Sequence, residues 1–322
     1  MNDNEFKKVL KKLYLPPPDS HKGQNGRLLI IGGSHLFHAA SLWALKVASR
    51  IVDLVHYSSV KENNEIVMRV KSEFRNGIVV QRKNIEEYIE EDDCILIGPG
   101  MVRAEKSKIN NSAFAAPPAK PMATHGKAST DKQMTNIKDI EKIKNEGTET
   151  YFLTNYLLRK YPHKKWVIDA GALQMTEPEW IPEGAILTPH TREMESLIIK
   201  IKNEKIKKEI EKSKTKEQIT IFAREYNCTV LLKGRTDYIA SGNKAIEITG
   251  GNAGMTKGGT GDVLAGLVAA LFCKNEAYSC AVAGSYINKK AGDWLFKKTG
   301  YWFNASDLAD QIPQTMKRLL LS

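Results

Sequence analysis

Along the chain, short continuous apolar runs alternate with longer stretches in which apolar residues return every three or four positions. The first kind reads as strands buried on both faces and the second as helices with one buried face. Residues 6–15 carry Phe6, Val9, Leu10 and Leu13 at helical spacing, and Pro16-Pro17-Pro18 stops that helix. The run 27–31 predicts a strand closed by Gly32-Gly33-Ser34. A helix over 39–50, a strand over 51–57 and a strand over 78–81 follow. The strand over 94–97 is closed by Gly98-Pro99-Gly100. Further on, 150–160 predicts a helix, and 166–169 and 185–188 predict strands, the first ending in Asp169. A helix has to begin close after Pro189, and another spans 216–226. The strand 229–232 leads into Lys233-Gly234, and 238–239 pairs with 244–248 across Ser241-Gly242-Asn243 as a hairpin. The nearly all-apolar run 263–273 predicts a buried helix, too short to span a bilayer. Helices over 277–296 and 305–320 close the chain.

This alternation predicts an α/β fold, a mostly parallel sheet with helices on both faces. In such sheets ligands collect beyond the carboxyl ends of the strands. Every candidate polar group follows a strand: Gly32-Gly33-Ser34, Gly98-Pro99-Gly100, Asp169, His190 with Glu193, Lys233-Gly234, and Asp262. Each alone is compatible with an ordinary turn residue. Six at one edge point to a ligand site.

Residues 103–148 break the pattern. They hold no sustained period before a short helical stretch at 137–145, and they are rich in Ala, Pro, Lys and Thr. So long a loop within a compact domain is either functional or disordered. A mobile insertion is expected, with a lid or an oligomer arm as the alternative. The remainder of 1–322 is expected to be a single domain.

Composition narrows the function classes. Apolar residues make up 42% and charged residues 26%, as in a globular protein with a sizeable core. Cys94, Cys228, Cys273 and Cys280 form no C-x-x-C pair and read as reduced core residues of a cytoplasmic protein. The first residues are polar and predict no signal peptide. The net charge is +11, with lysines dense over 200–216. No aromatic residue interleaves with them before Phe222, so a solvated helix and loop is expected there, with no nucleic acid and no membrane as partner. A basic chain still attracts an anionic dinucleotide.

Two common nucleotide motifs are missing. There is no G-x-x-x-x-G-K-[ST], which excludes a P-loop enzyme, and no G-x-G-x-x-G after a strand, which weakens a dehydrogenase reading. The chain instead carries Gly258, Gly259, Thr260 and Gly261 directly before Asp262 and the buried helix. Unpaired N–H groups and the dipole of a helix N-terminus make an anion site, and glycine lets the backbone approach a phosphate. Asp262 is placed to take a proton from a hydroxyl beside that phosphate. A glycine-rich turn with an ordinary Asp cap explains Gly-Thr-Gly-Asp equally well. Gly261 is expected to exclude a β-branched residue, through close approach and positive φ.

The longer strings are more specific. Asn252-Ala-Gly-Met-Thr-Lys-Gly-Gly-Thr-Gly-Asp-Val-Leu-Ala-Gly266, Thr188-Pro-His-Thr-Arg-Glu193 and Val167-Ile-Asp-Ala-Gly-Ala-Leu173 resemble the ribokinase-like superfamily, in the form carried by the ADP- or ATP-dependent NAD(P)H-hydrate dehydratases. The chain departs from that pattern at His38-Ala39, where glycine is expected further along the turn, and at Met101-Val102, where the family carries Leu-Gly. The resemblance implies a three-layer sandwich around a mostly parallel sheet. It implies that Ala40, Gly100 and His190 line the hydrated nicotinamide nucleotide, and that Lys233, Gly234, Arg235, Thr236 and Asp237 border the AMP part of the donor. Gly261 would bind AMP, Asp262 would touch the substrate hydroxyl, and Glu193 would organise Mg²⁺ and water.

The implied activity is a lyase that phosphorylates the ring hydroxyl of hydrated NADH or NADPH with ADP (or ATP) and eliminates phosphate. The alternatives are a ribokinase-like kinase of a hydroxymethylpyrimidine, a hydroxyethylthiazole or a sugar alcohol, and an inactive nucleotide-binding regulator. The intact Gly-Thr-Gly-Asp argues against the regulator, and Thr188-Pro-His190 and the early His21-Lys-Gly against the kinase. The resemblance further implies a separate epimerase as partner and a homotetramer.

Overall fold

The computed structural model describes residues 3–104 and 136–321. Residues 105–135 of the expected insertion lie outside the described residues. Nine strands form one sheet: β1 (Arg27–Ile31), β2 (Leu54–Ser58), β3 (Ile78–Val79), β4 (Cys94–Ile97), β5 (Lys165–Ile168), β6 (Ile186–Leu187), β7 (Thr229–Leu232), β8 (Asp237–Ser241) and β9 (Lys244–Ile248). Their spatial order is β3-β2-β1-β4-β5-β6-β7-β8-β9. The pairs from β3 to β7 are parallel, and β8 and β9 join as an antiparallel hairpin. The central strands β1, β4 and β7 are almost wholly buried, as continuous apolar runs require in a parallel sheet covered on both faces.

Two cores flank the sheet. One is built by helices Ala39–Ala48, Thr260–Phe272, Ala277–Thr299 and Ala305–Leu320. The other is built by helices Ile85–Glu91, Glu146–Lys160, Thr191–Ile199 and Thr215–Glu225. Helix Thr260–Phe272, the signature helix, is buried at eleven of its thirteen residues. Val263, Leu264, Leu267, Val268, Leu271 and Phe272 each contribute about 1.5–3 kcal/mol by leaving water. A helix without a polar face has nowhere to sit but inside, so its N-terminus is held in a fixed position at the sheet edge.

Some boundaries differ from the sequence reading for local reasons. The first helix is Asp3–Leu10 and ends before residue 15: Lys12 and Leu13 continue as a turn, with Leu13 still buried. Strand β2 begins at Leu54 because Asp53 is engaged in capping the Gly23–Asn25 turn. Helices Lys61–Arg69 and Ile85–Glu91 bury only two residues each and leave no readable period. The end of the expected insertion is packed. Ile137 and Ile140 are buried, and helix Glu146–Lys160 starts from the Asn145 side chain, which accepts a hydrogen bond from the Thr148 N–H.

Candidate active site

The strand order places a switch point between β1 and β4, where the chain has gone outward through β2 and β3 and returns to the other side of β1. Crevices at such points take ligands. Ile31 pairs with Ile97, so the two following turns emerge side by side. The Gly33 N–H donates to the Pro99 carbonyl at 2.7 Å. Gly100 has φ +73°, and a Cβ there would come within 2.9 Å of both the Ala40 Cβ and the Phe37 carbonyl. The fit of Gly100 over Ala40 is thus a backbone-to-side-chain contact that only glycine allows. At the first departure noted in the sequence, His38 is the N-cap of helix Ala39–Ala48 with helical backbone angles, and its Nδ1 is hydrogen-bonded to Asn63 Oδ1.

The signature helix begins next to this crevice. Gly259 is its N-cap at φ +95°, and a Cβ there would stand 2.3 Å from the ring of Trp43, one turn beyond Ala40 on helix Ala39–Ala48. The positive φ expected of Gly261 belongs to Gly259. Gly261 is helical, and an added Cβ would meet only Lys233 Nζ at 3.6 Å. Its smallness serves the open side. Gly258 is exposed, with nothing within 4 Å of an added Cβ. The Thr260 hydroxyl is engaged within the loop, donating to the carbonyls of Met255 at 2.7 Å and Lys257 at 2.9 Å.

Around Asp262 the charges are arranged in layers. The Lys233 ammonium donates to Asp169 Oδ1 at 2.7 Å, and the Thr188 hydroxyl donates to the same oxygen at 2.7 Å. Asp169 is buried at the end of β5. Burial alone would lower the Lys233 pKa, and Asp169, with Glu193 and Asp262, more than offsets this and raises it. Asp262 keeps part of its surface open but is otherwise surrounded by protein. Burial, then the Asp169 and Glu193 carboxylates, push its pKa up to about 7, against the opposing pull of Lys233. A carboxylate held near neutrality is suited to accept a proton.

His190 caps helix Thr191–Ile199. Its Nδ1 accepts from the Glu193 N–H at 3.2 Å, while Glu193 Oε2 accepts from the His190 N–H at 2.8 Å. The remaining Glu193 oxygen accepts from Gln174 Nε2 at 3.1 Å. The Lys233 N–H, donating to the Pro189 carbonyl at 2.7 Å, joins this cap to the end of β7.

Beside Gly261 opens a cleft of about 690 Å³, with Lys233, Gly234, Arg235, Asp237, Thr260 and Gly261 in its wall. Lys233, Arg235 and the N–H groups of the helix start make one end cationic. Leu264, Met255 and Ala253 make another part apolar. A ligand with an anionic group and a flat apolar group fits both.

A family model described as NAD(P)H-hydrate dehydratase matches residues 140–314. The ADP-dependent (S)-NAD(P)H-hydrate dehydratase of Nitrosopumilus maritimus is 31% identical, over 96% of this chain and 95% of its own. The chain belongs to the NAD(P)H-hydrate dehydratase family. The bifunctional NAD(P)H-hydrate repair enzyme Nnr of Methanocaldococcus jannaschii is 34% identical, over 96% of this chain and 51% of its own. The chain thus spans about half the length of the bifunctional relatives it matches. The ADP/ATP-dependent NAD(P)H-hydrate dehydratase from Bacillus subtilis, co-crystallized with ATP/Mg²⁺, shares the fold with a TM-score of 0.67 at 20% identity, covering 98% of this chain and 97% of that one. The α/β fold of this family member is ribokinase-like, as the resemblance of its motifs implied.

Within the dehydratase fold, the residues singled out in the sequence fall into two adjoining groups. Asp262, Gly261, Lys233, Asp169, Glu193 and His190 converge at the start of the signature helix, and Ala40 and Gly100 meet at the switch point. Asp237 does not face the cleft as a free carboxylate: it accepts from the Gly234 N–H at 2.9 Å and the Ser285 hydroxyl at 2.7 Å. Sequence reasoning missed Lys289, Asp237's buried partner, 3.2 Å from its Oδ1. The signal available was Ser285 and Lys289, four residues apart within an otherwise apolar, small-residue helix face.

Among the described residues no group of three or more His, Cys, Asp or Glu side chains is placed to hold a metal ion. Both Glu193 oxygens are already engaged. This donor set fits a Mg²⁺ carried in by nucleotide phosphates and reached through water, and does not fit a resident metal centre. Among the described residues no helix is long and apolar enough to cross a membrane.

Proposed function

We propose that this chain is an ADP-dependent (S)-NAD(P)H-hydrate dehydratase. The observation that carries the proposal is the Asp262 carboxylate in the first turn of a glycine-lined helix start, where Lys233 is held by Asp169 and where burial and neighbouring carboxylates push the Asp262 pKa up to about 7. Hydrated NADH or NADPH carries a hydroxyl on the carbon beside the ring nitrogen, and hydroxide leaves poorly. Asp262 takes the hydroxyl proton as the oxygen attacks the terminal phosphoryl group of ADP, giving AMP and a phosphate ester. The ring nitrogen lone pair then expels phosphate, and loss of a proton from the neighbouring carbon restores the double bond. Gly261 gives the phosphates access to the helix N-terminus, and Lys233 offsets their charge while Asp169 holds it in place. Positioning and charge stabilisation supply most of the catalysis in phosphoryl transfer.

ADP as the donor is favoured by the name of the N. maritimus relative, and the B. subtilis protein co-crystallized with ATP/Mg²⁺ makes ATP the alternative. Arg235, Thr236, Gly234 and Lys233 would border the AMP part, with Ala40, Gly100 and His190 against the hydrated nicotinamide. Glu193 would act on Mg²⁺ through water. A homotetramer and an epimerase partner are part of the same reading, tested by light scattering and by co-purification.

The experiment is an absorbance assay for NADH regenerated from its hydrate, run with ADP, ATP and no nucleotide. Nucleotide-dependent NADH with release of phosphate is the expected result. Accumulation of a stable phosphorylated product identifies a small-molecule kinase instead. Nucleotide binding without turnover of any substrate identifies a regulator.

A further inference from the structure

Lys289 sits on helix Ala277–Thr299 at the wall of the cleft and is 6% exposed. Its Nζ faces four oxygens: the carbonyls of Gly234 at 3.1 Å, Arg235 at 3.2 Å and Gly250 at 3.4 Å, and Asp237 Oδ1 at 3.2 Å. An ammonium has three protons, so four oxygens at nearly equal distance surround it as a shell and cannot all be paired one to one. Three backbone carbonyls and a carboxylate are also the oxygen set that strips the water from a weakly hydrated monovalent cation. The distances are far too long for Mg²⁺, which demands oxygens at about 2.0–2.1 Å.

The shell joins two loops remote in sequence. One is the 233–237 turn between β7 and β8, and the other is the turn after β9. Asp237 completes the tie by accepting from the Gly234 N–H and the Ser285 hydroxyl. Both loops contribute to the cleft wall. With the central ammonium removed, three carbonyl dipoles and a carboxylate point at one another, and the loops have to part.

We infer that Lys289 is a positioning residue that serves as a built-in monovalent cation, holding the two loops of the nucleotide cleft in place without a bound ion. The inference rests on the cleft being the nucleotide site. It follows that nucleotide affinity does not depend on K⁺. Lys289→Ala leaves a four-oxygen cage of net negative charge, which K⁺ or NH₄⁺ fills. Lys289→Met removes the charge but fills the space.

The test is calorimetric titration of ADP into each protein at one fixed ionic strength, in choline, lithium, potassium or ammonium chloride. Wild type is expected to bind equally in all four. Lys289→Ala loses about tenfold or more in affinity in choline, the scale of a lost charged hydrogen-bonding group, and K⁺ or NH₄⁺ restores most of it. Lys289→Met shows the loss without the restoration. Full affinity of the alanine variant in choline, a loss that no cation repairs, or a wild type that requires K⁺ overturns the inference. Should the alanine variant unfold in choline, its melting curve decides: recovery specific to K⁺ and NH₄⁺ supports the cage, and indifference to the cation overturns it. A wild type that binds no adenine nucleotide in any salt overturns the nucleotide reading itself, an outcome distinct from the others.

Discussion

The two ends of the signature helix solve the same problem in opposite ways. Every helix leaves unpaired N–H groups at its start and unpaired carbonyls at its end. At the end, Lys165 reaches over from β5 and donates to the carbonyls of Phe272 at 2.9 Å, Asn275 at 3.3 Å and Cys273 at 3.4 Å, a cation at the negative pole of the dipole. At the start no side chain caps the helix, Gly258 and Gly261 leave the backbone open, and the nearby carboxylate is itself unsettled. The fold satisfies one end from within the chain and leaves the other open.

The largest expected effect tests the open end. Asp262→Asn keeps the shape of the residue but cannot take a proton. Turnover of hydrated NADH is expected to fall by about 10²–10⁴-fold at saturating nucleotide, with folding intact by thermal melting. Near-normal turnover would sink the base assignment and leave Asp262 as an acidic residue of the first turn with no part in the chemistry.

The closed end is tested by Lys165→Met. Stability is expected to drop by about 2 kcal/mol in chemical denaturation, because the last carbonyls lose a charged donor. The activity per folded molecule should be unchanged. A loss of turnover without a loss of stability would erase the contrast.

Two glycines within the open end separate its functional and structural parts. Gly261→Val has room in the protein and is expected to weaken nucleotide binding about tenfold, by titration, with little change in melting. Gly259→Ala places a methyl against Trp43 at positive φ and is expected to destabilise by about 1–3 kcal/mol. Equal effects of both on stability would show that Gly261 is a packing residue.

The remaining effect is a pH dependence of stability. Asp262 has its pKa raised from 3.8 to about 7, so between those values the folded state binds more protons than the unfolded chain. Stability therefore falls as pH rises through that window. Asp262→Asn escapes this cost, and is expected to melt above wild type at about pH 8, with the gap closing toward about pH 4. Parallel melting curves at all pH values would place the Asp262 pKa near its ordinary value. Turnover should run the other way and rise with pH through about 7, since the base works when unprotonated.

Much of this was legible in the sequence, because it depends on neighbours in the chain. Nearly continuous apolar runs matched β1, β4 and β7 to the residue, since a strand buried on both faces has few polar positions to blur its limits. The string from Asn252 to Gly266 placed a glycine-lined helix start with an acid in its first turn, because those features need only covalent spacing. Helices Lys61–Arg69 and Ile85–Glu91 stayed hidden, since two buried residues make no period. The positive φ expected at Gly261 falls two residues earlier, at Gly259, where Trp43, more than two hundred residues earlier in the chain, also leaves no room for a Cβ.

What only the tertiary structure decided is the electrostatics. Asp169 and Lys233 are 64 residues apart in the chain, Lys165 and the carbonyl of Phe272 are 107 apart, and Lys289 lies 55 residues from the Gly234 carbonyl it faces. The sequence by itself determined that a carboxylate would stand at the start of a buried helix. It could not determine that this carboxylate would titrate near 7, because desolvation and Coulomb interaction depend on distance through space and on the water excluded between charges, and neither is written in the order of the residues.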